Sequence, residues 1–203
     1  MIRKLRFTLP LLAIIAGYTW VFVRVAPRGV GPLVTAVVLG LSAWRAARTG
    51  EWGVRWSAFL PALRIAAAFT LPVVLVIYVA GSHLGPLPRR PHPWRDLALL
   101  VPWAAGQQFA LQTVLLREAQ AATSRGKGMA LAAGIFGALH LPNPFLAPVT
   151  LVAAVVWCWI YDRYPNLVPL ALSHAVCTLA VVYCFDPALT GHLRVGYAYL
   201  QLR

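Results

Sequence analysis

Three glutamines and two histidines stand in stretches otherwise fit for hydrocarbon. Gln107, Gln108 and Gln112 lie in GQQFALQ, His140 closes FGALH, and His174 sits in LSHAVCT. A neutral imidazole can take a proton, give one or ligate a metal. A glutamine amide offers donors and acceptors but has no useful basicity near neutral pH. Polar groups inside a membrane are costly, which makes each a candidate functional residue. They should converge in the bundle interior and form a polar intramembrane cavity. Taken singly, the glutamines read equally well as interhelical hydrogen-bonding residues, each bond contributing about 0.6–2 kcal/mol.

The elements that must position them follow from composition. The chain has 203 residues, 60% hydrophobic and 11% charged. A soluble domain carries roughly a quarter charged residues. Apolar runs of about 18–22 residues recur, the length a helix needs to cross a bilayer. The expected fold is all-α: a polytopic transmembrane helical bundle of about seven spans. The expected spans cover roughly residues 7–25, 30–46, 56–80, 97–116, 129–141, 145–161 and 167–185. The fifth is short and ends at the helix breaker Pro142-Asn143-Pro144. Residues 81–96, rich in Pro and Gly, read as the longest loop, with His83 and His92 as solvated loop histidines. Residues 186–203 read as an interfacial tail. The organisation predicted is N-terminal helices over 1–94, a core over 95–185 that carries the polar residues, and the tail.

The net charge of +13 lies mostly at the ends of apolar runs. There cations set topology and meet anionic lipid. No long basic run or basic helix face argues for nucleic acid. Membrane lipid is therefore the expected partner, with a cytoplasmic N-terminus that begins with Arg3, Lys4 and Arg6. Arg64, inside the third expected span, is placed to snorkel. Cys158, Cys177 and Cys184 form neither a CxxC pair nor a Cys/His ligand set, and read as small buried side chains.

The order GQQFALQ, FGALH, LSHAVCT resembles the CPBP family. That family includes the type II CAAX prenyl endopeptidases, the bacteriocin-processing and immunity proteins, and lysostaphin-resistance-protein-A-like membrane proteins. Its motifs are Glu-Glu-x-x-x-Arg, Phe-x-x-x-His and His-x-x-x-Asn/Asp. Phe136 and His140 match the second motif, and Leu141-Pro142-Asn143-Pro144 continues it. His174 matches the third, with Thr178 at its last position. Gln107, Gln108 and Gln112 match the first in spacing alone. The substitution is coherent: a charged Glu/Arg pair gives way to two amides, and no orphan charge is left in hydrocarbon.

The resemblance implies an intramembrane endopeptidase of a bacterial inner membrane, acting on a membrane-tethered or lipidated peptide. The family's first glutamate activates water, and its position here is Gln107. With no carboxylate there, the base falls to His140 or His174, and Gln107 orients the water. Gln108, Gln112, Phe136 and Thr178 support the site. Glu118 is the only nearby carboxylate, eleven residues after Gln107 and so roughly 16 Å along a helix. No cofactor is expected, since two histidines without a carboxylate are a thin ligand set for a divalent metal. The alternative is a non-catalytic member that binds a membrane peptide, lipid or partner protein, as a chaperone or immunity protein would. A small transporter is a third reading.

Overall fold

The computed structural model describes residues 4–27 and 29–202. The first three residues of the expected basic segment lie outside the described residues, as do Arg28 and Arg203. The described elements are helical: α1 (Thr8–Trp20), α2 (Val30–Thr49), α3 (Phe59–Leu84), α4 (Pro93–Phe109), a π-helical segment (Ala110–Leu116), α5 (Arg117–Ala122), α6 (Arg125–Ala138), α7 (Leu146–Arg163), α8 (Leu167–Cys184) and the short α9 (Tyr197–Leu200). Four helical stretches are long and apolar enough to cross a membrane: Val30–Thr49, Trp56–Leu84, Leu146–Arg163 and Leu167–Cys184. The chain is an all-helical integral membrane protein.

The local sequence explains the ends. Gly50 follows α2 in the left-handed region, at φ 72°, where it ends the helix without a Cβ penalty. Pro93 opens α4, at the one position where its missing N–H costs nothing. Asn166 caps α8 by accepting a hydrogen bond from Val168 N. The loop expected over 81–96 is shorter, because α3 continues to Leu84 and α4 begins at Pro93. Gly81 weakens the helix without stopping it, and α3 runs on to its C-cap, Gly85. His83 thus lies in the last turn of a helix.

The chain divides into two compact units. The first holds residues 1–52, 109–159 and 193–203; the second holds 53–108 and 160–192. In the first, α1 packs on α2, α2 on the π segment, and α5 on α6. Its core includes Leu11, Leu111, Val114, Leu116 and Trp157. Residues 193–203 of the tail belong to this unit, and 186–192 to the second. Gly196 N donates to Leu141 O, and Arg24 stacks on the Tyr197 ring at 3.9 Å. In the second unit, α3 packs along α8. Gly81 makes that approach possible, since a Cβ there would meet the Cys184 carbonyl. A single extended bridge, Val54 to Asn166, ties the chain before α3 to the turn before α8.

Large apolar side chains are exposed along α3, with Leu71 at 70% and Val76 at 66%. On a water-soluble surface such a stripe would be a liability. In a helix of this length it is the face turned to lipid. Arg64 is exposed in the second turn of the same helix, as snorkelling requires.

Candidate active site

Gln107, Gln108, His174 and Thr178 belong to the second unit; Gln112, Phe136 and His140 belong to the first.

In the second unit, α4 presents Gln107 and Gln108, and α8 presents His174. Gln108 is fully buried and His174 is 4% exposed. The Gln108 amide nitrogen lies 3.4 Å from His174 Nδ1. An amide N–H only donates, so with the amide so turned Nδ1 is the acceptor. The proton of the neutral ring is then on Nε2. The Trp103 ring leans on the imidazole at 5.3 Å between centroids, one turn before Gln107. Gln107 Oε1 is buried and accepts no hydrogen bond from any described residue. A buried acceptor left in that state costs about 1–3 kcal/mol. Thr178 is half-buried one turn beyond His174.

One face of α8 is wired further to α3. The Ser173 and Thr70 hydroxyls lie 2.6 Å apart, and Thr70 also donates to Ala66 O at 2.7 Å. This pair holds α8 against α3 beside His174. Tyr183 donates to Asp96 Oδ2 at 3.0 Å, tying the far end of α8 to the start of α4.

In the first unit, His140 follows the end of α6. Its Nδ1 lies 2.7 Å from Phe136 O. A carbonyl only accepts, so Nδ1 carries the proton and Nε2 is left as the lone pair of the neutral ring. The Phe136 ring packs against the imidazole at 5.0 Å. The turn that follows is pinned by Asn143, which is fully buried. Its side-chain oxygen accepts from Phe145 N and Leu146 N, and its amide donates to Arg194 O at 3.0 Å. Gln112 is fully buried in the π segment, where all seven side chains are buried.

Three features escaped the sequence reading. The π winding sits where a regular helix was expected; such segments recur at functional sites. Asn143 and Asn166 are each buried helix caps, and Asn166 before an apolar run carried a readable start signal. Glu118 is buried and its carboxylate accepts from Phe7 N and from Thr8 N, the latter at 2.8 Å. It is the acceptor for buried N–H groups that open α1.

Among the described residues no three His, Cys, Asp or Glu side chains group as a metal-ligand set. An apolar groove of about 610 Å³ runs between α1 and α2, past Ile14, Tyr18, Phe22 and Val34; it holds no motif residue.

Residues 93–180 match the family model described as type II CAAX prenyl endopeptidase Rce1-like. The match supports membership of the CPBP family. The match begins with the first residue of α4 and takes in every motif position, from Gln107 to Thr178. The matched family is a protease family, which supports the general hydrolase kind. No curated protein and no solved structure matches the chain.

Proposed function

We propose that this CPBP-family protein is an intramembrane endopeptidase that hydrolyses a membrane-tethered or lipidated peptide in a bacterial inner membrane. The observation that carries this reading is the match of residues 93–180, every motif position included, to a protease family model. Hydrolysis needs one group to take a proton from water and another to stabilise the carbonyl oxygen as charge develops. His140, with its Nε2 lone pair, suits the first role. His174, with its proton on Nε2, suits the second. Gln107 Oε1, a buried acceptor, suits the orientation of the attacking water. The amide itself takes no proton, so the base is a histidine and not the residue at the family's glutamate position. Attack by water gives a tetrahedral oxyanion. The imidazolium then returns its proton to the leaving amine.

A second reading is supported by Glu118. The one carboxylate near the first motif already serves the start of α1. A chain with no carboxylate for the base suits a member that binds a membrane peptide, lipid or partner protein without cutting it.

Cleavage of tethered and prenylated peptides by the purified protein in bilayers distinguishes the two. Hydrolysis by the wild type that is lost in both His140→Ala and His174→Ala supports the peptidase. Silence in the wild type with activity in Gln107→Glu supports a binding protein on a protease scaffold.

A further inference from the structure

Among the described residues, one end of the first unit carries an excess of cations with no exposed anion to match. The two carboxylates at this end are both engaged internally. Glu51 takes Arg45 and Arg117, and Glu118 takes the backbone N–H groups of Phe7 and Thr8. Lys4, Arg6, Arg48, Arg125 and Lys127 remain exposed.

Two of these cations are held in a defined arrangement. The Arg6 guanidinium lies over the Phe7 ring at 4.9 Å. Phe7 meets Trp44 edge to face, with centroids 5.3 Å apart. Arg48 lies over the Trp44 ring at 5.2 Å. The result is a ladder of cation, ring, ring, cation that joins the start of α1 to the end of α2. Phe7 is itself fixed, because its N–H is bonded to Glu118. A ring satisfies the face of a guanidinium and leaves its in-plane N–H edge available; that edge matches two oxygens of a phosphate. Trp44, a rung of the ladder, and Trp52, four residues after Arg48, are each more than half exposed. Indoles in that setting sit at the headgroup level of a bilayer.

We infer that the Arg6–Phe7–Trp44–Arg48 ladder, with Lys4 beside it, binds the phosphate of an anionic phospholipid headgroup. The site is independent of the peptidase reading. The rings fix where the two guanidiniums stand, which separates this site from the diffuse attraction of any basic surface to an anionic leaflet.

The test is the melting temperature of the full chain in neutral detergent, alone and with phosphatidylglycerol, phosphatidylcholine or inorganic phosphate. Phosphatidylglycerol is expected to raise the melting temperature by roughly 2–5 °C, and the other two additions to leave it unchanged. The shift is lost in the Arg6→Gln/Arg48→Gln double variant and kept in Arg125→Gln/Lys127→Gln. Each variant is compared with itself without lipid, so any change in its basal stability drops out. Three results would overturn the inference: a full shift in Arg6→Gln/Arg48→Gln, an equal loss in both doubles, or an equal shift from inorganic phosphate. The last would mark a site for free phosphate.

Discussion

His140 follows the end of a helix and donates from Nδ1 to a carbonyl one turn back. His174 is buried in mid-helix and faces a glutamine amide nitrogen with the same atom. The two side chains are chemically identical, and both are motif histidines. With the Gln108 amide nitrogen turned to His174, the two contacts suit opposite tautomers of a neutral ring. In the proposed mechanism the partner, and not the residue type, separates base from polarising donor, the same way environment divides roles between paired groups in other enzymes. The replacement of the family's Glu-Glu-x-x-x-Arg by glutamines has a consequence in this light. A neutral amide at Gln108 can hold His174 in one tautomer, a task for which an anionic carboxylate would favour the other.

The strongest way to break this comparison is to remove each histidine. His140→Ala and His174→Ala are each expected to lower peptide hydrolysis by roughly 10²–10⁴-fold. The pH profile tells them apart. A base must be unprotonated, so wild-type activity falls as the pH drops through the titration of His140. That acid limb should persist in the residual activity of His174→Ala and vanish in that of His140→Ala. An acid limb unchanged in His140→Ala would reverse the assignment.

Gln107→Leu keeps the volume and removes the buried acceptor. A decrease of about 10²-fold in kcat is expected if this oxygen positions the water. Wild-type kcat in that variant would take Gln107 out of the mechanism.

Glu118→Ala tests the one carboxylate that could compete with the histidines. It should lower stability by about 1–3 kcal/mol, because buried backbone donors at the start of α1 lose their acceptor. Thermal unfolding reads this directly. Specific activity of the folded fraction should be unchanged; its abolition would make Glu118 the base and remove the need for His140.

The smallest effect sharpens the comparison most. Gln108→Leu should slow hydrolysis only several-fold, roughly 1 kcal/mol in the barrier. In ¹⁵N-labelled protein the same change should shift the tautomer signature of His174 and leave that of His140 as it was. A His174 spectrum unaffected by the change would show that another neighbour sets its proton.

The parts of the fold read from the sequence were those with a local cause. Apolar length marked the helices, and Pro142-Asn143-Pro144 marked the end of α6. Phe136 and His140, four apart, were readable as the second motif. The remainder depends on partners distant in the chain. Glu118 finds the amides of Phe7 and Thr8 more than a hundred positions away. The tail returns to the Leu141 turn through Gly196 and Arg194. His174 takes its tautomer from Gln108, 66 positions earlier. No pattern of types along the chain encodes such meetings. The π winding has a different reason: Ala-Leu-Gln-Thr-Val-Leu-Leu satisfies an ordinary helix equally well, and only packing on every side selects the wider coil.

That wider coil changes how length should be read in this region. Within Ala110–Leu116 each amide reaches one residue further back than usual, so the segment accommodates a surplus residue without a loop. A relative one residue shorter here could tighten to ordinary winding and keep its flanking helices whole. A gap placed between the first motif and Arg117 in an alignment would then record a change of screw, and the fold on either side of it would be the same.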